Sequence, residues 1–323
     1  MTETHLVLPR PGAAYDASRP PIQGPSEAFF TKTFGTLLPP AKYLTTKSGK
    51  AAYYEFPPSS SDSTTSRVLL IHGVQTPALG MYPLASALHS QFPSTHFVLF
   101  DHWGHGLSDT PFAPHDSALF HTLIDDLLDH LSWPSAQLVG FSFGGALTVG
   151  YVASRRARVQ SFTLVAPAGL IPRSRFDDVG LAHLKGGGDE VASAKFIIND
   201  VLGGIDVPQG WEERVKNGEV VPMAIKDWEM REHKGHTASV VAIFRDGGVL
   251  ENDEVFKEAA KSGVPNLVVL GEEDDVCTKE QLVELGFGHV EVIPSVGHEV
   301  VRQKAKEVAG YVAEFWNGLE ETK

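Results

Sequence analysis

Apolar positions along the chain fall into two alternating patterns. Short unbroken runs, each bounded by Gly, Pro or Asp, occur at Val68–Ile71, Phe97–Phe100, Gln137–Phe141, Ser161–Val165, Leu267–Leu270 and Val290–Ile293. Runs of this length and composition suit strands buried on both faces, as in the middle of a parallel sheet. Between them the apolar spacing changes to threes and fours, most clearly at Leu119, Phe120, Leu123, Ile124, Leu127, Leu128 and Leu131, which predicts an amphipathic helix. Strand and helix patterns in alternation predict an α/β fold with right-handed crossovers. Ahead of them, Tyr43–Thr46 and Ala51–Phe56, separated by Lys47, Ser48, Gly49 and Lys50, read as a hairpin at an antiparallel edge. The expected fold is a mostly parallel, doubly wound sheet of about eight strands flanked by helices.

That rhythm fails from about Leu170 to His236. Gly186, Gly187 and Gly188 precede a helical stretch there, and Trp211, Met223, Trp228 and Met230 punctuate a charged sequence. Residues 170–236 are therefore expected to form an inserted, mainly helical cap, with residues 41–169 and 237–323 as the α/β core on either side of it. Residues 1–40 read as an N-terminal extension, carrying Pro9, Pro11, Pro20 and Pro21 in its first part. The polar run Ser59–Ser66 reads as an exposed loop. Val301, Val308, Val312, Phe315 and Leu319 place one apolar face on a terminal helix.

Composition narrows the partners. At 323 residues and 42% apolar content the chain can bury one large core. A formal charge of -13 repels nucleic acid and anionic membranes and favours a neutral or amphipathic small-molecule substrate. No stretch approaches the roughly 18 consecutive apolar residues of a membrane span, and the first residues lack the basic and apolar segments of a signal peptide. Cys277 has no second cysteine to pair with, which fits a cytoplasmic location. The oligomeric state is left open, a homodimer included. Asp125, Asp126 and Asp129 read as a solvated helix face.

The chemistry concentrates at Gly140-Phe141-Ser142-Phe143-Gly144, which follows the strand ending in Leu138 and Val139 and precedes an Ala/Leu/Val helix. A G-x-S-x-G sequence in that setting makes a sharp strand-to-helix turn that lifts the serine hydroxyl clear of the backbone, and its glycines give room where chain segments pass closely. Phe143 then offers its N–H at a helix start. Of the 14 histidines, His298 has the setting a general base needs, in a loop between a strand and the final helix. No Walker loop, HExxH motif or dinucleotide fingerprint occurs, so neither a phosphate cofactor nor a metal is expected.

Four separated motifs make the sequence resemble the α/β-hydrolase family from about Tyr43 to Phe315. They are Ile71-His72-Gly73-Val74, the run Asp101-His102-Trp103-Gly104-His105-Gly106-Leu107-Ser108, the Ser142 turn, and the late pair Gly271-Glu272-Glu273-Asp274 and Gly297-His298. Their order of serine, acid and histidine is the family's. The resemblance implies a triad of Ser142, Asp274 and His298, although Glu272, Glu273 and Asp275 stand beside the matched acid. It also implies that the backbone N–H groups of Val74 and Phe143 form an oxyanion hole. His72 is expected to tie its loop to a neighbour, and the Asp101–Ser108 run to be a tight structural turn. His72, Trp103, Trp211, Met223 and Trp228 are the candidates for substrate contact, with the alternative that the cap's Trp and Met residues form its own core.

The resemblance further implies a cofactor-independent serine hydrolase that forms an acyl-enzyme from a carboxylic ester, lactone or thioester of a small apolar substrate. Relatives that open epoxides or cleave carbon–halogen bonds carry aspartate where this chain has Ser142, which disfavours those reactions. Two alternatives share the triad: hydrolysis of a carbon–carbon bond in a β-diketone or dienoic acid, and a small-molecule receptor with slow hydrolase activity.

Overall fold

The computed structural model describes residues 6–59 and 66–321; residues 60–65 of the polar run lie outside them. Among the described residues eight strands form one sheet: β1 (Lys42–Thr46), β2 (Gly49–Phe56), β3 (Ser66–Ile71), β4 (Thr95–Phe100), β5 (Ala136–Phe141), β6 (Val159–Val165), β7 (Asn266–Gly271) and β8 (Val290–Ile293). Their spatial order is β1-β2-β4-β3-β5-β6-β7-β8. The hairpin β1–β2 runs antiparallel and joins β4 antiparallel, and every pairing from β4 to β8 is parallel.

Helix α1 (Glu27–Phe34) precedes the sheet. Within it come α2 (Tyr82–Gln91), α3 (Ser117–His130) and α4 (Phe143–Arg155). Between β6 and β7 lie α5 (Asp178–Lys185), α6 (Glu190–Lys195), α7 (Trp211–Lys216), α8 (Pro222–Glu232), α9 (His236–Asp246) and α10 (Asp253–Ala260). The chain closes with α11 (Lys279–Glu284), α12 (Val300–Gln303) and α13 (Ala305–Glu321). The terminal apolar face is thus divided: Val301 belongs to α12, the backbone turns out of helical geometry at Lys304, and α13 buries Val308, Val312 and Trp316. Among the described residues no helix is long and apolar enough to cross a membrane.

Both faces of the sheet are covered, which is why its strands are apolar without interruption. On β3, Leu69 and Ile71 enter the layer shared with α3 and α4, while Val68 and Leu70 enter the layer shared with α2 and α13. The acidic face of α3 is less solvated than its sequence suggests. Asp125 accepts hydrogen bonds from Tyr151 Oη at 2.7 Å and Arg155 Nε at 2.6 Å, and Arg158 pairs with Asp129 at 2.7 Å.

Parts of residues 6–40 lie against the rest of the fold. Ile22 forms a backbone bridge with Thr110, Leu8 is buried beside Ala238 and Ala242, and Arg10 pairs with Asp246. Ser26 caps α1 through the Phe29 N–H, and Phe30 and Phe34 of that helix bury their rings against Trp228 at centroid distances of 5.1 and 5.9 Å.

Candidate active site

Ser142 stands at the turn between β5 and α4 with φ 53° and ψ -118°, a conformation costly for a residue with a side chain, on the order of 1–3 kcal/mol. The surroundings enforce it. Ser142 donates its N–H to the Val165 carbonyl at 3.1 Å and accepts at its own carbonyl from Ala168 N at 2.9 Å. A Cβ on Gly144 would strike the Ile71 carbonyl, and one on Gly73 would come within 2.9 Å of Ser142 Cβ. Glycine at 73 therefore lets the loop after β3 close over the serine, and Val74 and Phe143 both line the cavity beside it.

From the far end of the chain, His298 Nε2 reaches Ser142 Oγ at 2.9 Å. Its Nδ1 lies 3.2 and 3.1 Å from the two carboxylate oxygens of Asp274. The carboxylate is fully shielded and accepts the Val276 N–H at 2.9 Å. Among the four neighbouring acids, Asp274 is the one facing the imidazole. Glu272 accepts the Ser295 N–H at 3.0 Å, Glu273 is exposed, and Asp275 pairs with Arg175 at 2.5 Å. Cys277, three residues past Asp274, is buried, and burial pushes its thiol far above the ordinary range.

The candidates for substrate contact separate into two groups. Met223 lines the cavity. His72 does not; it accepts the His102 N–H at Nε2 (2.9 Å) and donates from Nδ1 to the Gly73 carbonyl (2.6 Å), so it joins the loops after β3 and β4. Trp103 is buried in the main core, 1% exposed, with its carbonyl accepting from Ser239 Oγ at 3.0 Å. Trp228 is 2% exposed under Phe29, Phe30 and Phe34, and Trp211 meets Phe34 at 6.1 Å. Both tryptophans thus fasten α1 to α7 and α8, because the extension presents an apolar surface on that side. The Asp101–Ser108 run is a hydrogen-bonded turn, with Asp101 accepting from Ala78 N, Leu107 N and Tyr54 Oη at 2.9, 3.0 and 2.8 Å.

The cavity measures about 790 Å³, within the range that takes a small organic molecule. Its wall is largely apolar and comes from both halves of the fold, including Phe141, Ile171, Phe176, Phe196, Leu202 and Phe244. Several of these were invisible to periodicity because they sit in short helices and turns. Charged residues line it as well: Lys226, Glu299 and Arg302 near His298, and Arg175, Asp177, Asp200 and Asp275 at an exposed rim. Burial raises the Glu299 carboxyl, but Arg302, Lys226 and His298 together outweigh it and hold the group down to about 2.

Residues 68–310 match the model of the alpha/beta hydrolase family. The chain is similar to AB hydrolase superfamily protein YisY of Bacillus subtilis, at 26% identity over 68% of this chain and 81% of that one. Among solved structures it is similar to an enol-lactonase from Burkholderia xenovorans, with a TM-score of 0.64 and 19% identity over 85% of this chain and all of the other. It is likewise similar to a meta-cleavage product hydrolase from Pseudomonas fluorescens, with a TM-score of 0.61 and 20% identity over 86% and 98% of the two chains. The two structural likenesses concern the fold, and the family match covers three quarters of the sequence: the chain belongs to the alpha/beta hydrolase family.

Proposed function

We propose that the protein is a serine hydrolase that cleaves a carboxylic ester, lactone or thioester through an acyl-enzyme on Ser142. The observation carrying this reading is the continuous contact from Ser142 Oγ through the His298 imidazole to Asp274, at 2.9 and 3.1 Å. His298 Nε2 takes the hydroxyl proton as Oγ attacks the carbonyl carbon, and Asp274 fixes the tautomer and offsets the imidazolium charge. The carbonyl oxygen becomes an oxyanion next to the N–H groups of Val74 and Phe143, the latter at the helix start where an N–H has no partner within the helix. Imidazolium returns the proton to the departing alcohol or thiol. Water then gives a proton to His298 and its oxygen to the acyl carbon, and the acid leaves as Ser142 recovers its hydrogen. Residues 170–236 act as the cap, closing the apolar cavity over the serine and selecting the acyl or alcohol group.

A fluorophosphonate probe is expected to label Ser142, located by peptide mapping, with turnover of at least one member of an aryl ester panel. Labelling elsewhere, or none in folded protein, would falsify the assignment. Vinylogous diketones in the same panel test the carbon–carbon alternative. Turnover far below about one per second on every compound, against a typical enzyme median near ten, would favour the receptor.

A further inference from the structure

Helix α8 presents two different faces. Ala224, Ile225 and Trp228 are buried in the cluster shared with α1. Met223 and Lys226, one turn apart, line the cavity that holds Ser142 and His298. Lys226 is half-buried, and among the described residues its ammonium makes no hydrogen bond or ion pair at contact distance. The other charges on the cavity wall are already engaged or in solvent. Arg302 reaches Glu299 Oε2 at 2.5 Å through both Nε and Nη2, extends Nη1 to the Gly80 carbonyl at 3.3 Å, and lies 5.0 Å from the Phe141 ring centre. Arg175 pairs with Asp275, Asp177 caps α5, and Asp200 is exposed. Near His298 the Glu299–Arg302 pair is internally neutral, so Lys226 leaves one surplus positive charge on that side of the cavity.

We propose that Lys226 is a specificity-determining residue and that the preferred substrate is amphipathic, an apolar ester whose acyl or alcohol half ends in a carboxylate that this ammonium receives. This rests on the serine hydrolase reading and names its substrate class. A cation partly removed from water is costly, and a substrate carboxylate supplies the direct hydrogen-bonding partner that Glu299, bonded to Arg302, does not. Burial draws the Lys226 pKa down, with Glu299 opposing and Arg302 assisting, and a second anion at Nζ favours the charged form further. The overall negative charge of the chain works against such a substrate at long range, which makes a local cation the means by which the cavity would accept one.

The test compares kcat/KM for paired substrates. Mono-4-nitrophenyl alkanedioates of increasing length carry the carboxylate on the acyl half, and butyrate esters of hydroxyalkanoic acids carry it on the alcohol half. Each is paired with its neutral methyl ester. Wild type is expected to prefer the anionic member of at least one pair. Lys226→Met should lower that preference by about tenfold to a hundredfold, the range for losing one hydrogen bond to a charged group, with the change in KM more than in kcat. Lys226→Arg should restore part of it, which a purely structural role for the side chain would not produce. Preference for the neutral member at every length, or an anion-to-neutral ratio unchanged in Lys226→Met, overturns the inference. If Ser142 still labels and neutral esters turn over in that case, the hydrolase reading stands alone; if Ser142 does not label, both fall.

Discussion

At the scale of single residues, the acid of the proposed triad offers the sharpest test, because four carboxylates crowd one turn and only one faces the imidazole. Replacing Asp274 by Asn should leave the fold intact and lower kcat by about 10³- to 10⁴-fold, since an amide can hold the wrong imidazole tautomer. Asp275→Asn and Glu272→Gln remove a rim ion pair with Arg175 and an accepting contact to the Ser295 backbone, so each should cost far less. All three are measured on one activated ester with circular dichroism as the folding control; a large loss in Asp275→Asn with Asp274→Asn still active would move the acid by one position. The pairing of Asp274 with His298 was legible because each follows a local strand-end motif. The place of Lys226 on the cavity wall was not, because a lysine in a charged helix looks the same whether its ammonium meets open water or a cavity.

At the scale of elements, helix α1 shows what residue type alone does not encode. Trp211 and Trp228 were open to two readings, cavity wall or interior packing, and the structure puts them under Phe30 and Phe34 of the extension. A tryptophan's apolar surface carries no record of which apolar partner it meets, and α1 lies some two hundred positions away in sequence. The strands, by contrast, were readable to within a residue or two, because burial on both faces leaves an uninterrupted apolar run that few other settings require. Phe34 is 2% exposed, and Phe34→Ala should lower unfolding stability by about 3–5 kcal/mol, the usual cost of emptying a buried phenylalanine site. Because α8 presents Met223 and Lys226 on its other side, the same variant should also raise KM. Urea unfolding and steady-state kinetics measure the two effects. A stability loss below about 1 kcal/mol would mean that α1 is not docked in solution.

At the scale of the molecule, buried histidines govern the response to acid. Burial lowers His102, His115 and His121 to about 4 and His236 to about 3, and pushes His72, His105 and His233 down as well. The unfolded chain binds protons at these groups near 6.5, so stability is full above that pH and falls as the pH drops toward the folded values. Near pH 5, each group held at about 4 takes away about 2 kcal/mol. Burial also raises Asp101 to about 6 and lifts Glu229; both carboxyls act in the opposite sense, Asp101 as the pH falls below about 6, and they are outnumbered. Tm is therefore expected to fall steeply between pH 6.5 and 5, and a Tm that stays level or rises across that interval would contradict the linkage. The contact between His298 and Ser142 joins positions 156 residues apart, on the loops that follow β8 and β5 of the sheet. Contacts of such long sequence separation are slow to establish, so secondary structure and compactness return early in refolding while turnover returns last: catalytic competence is a clock for the final step of assembly.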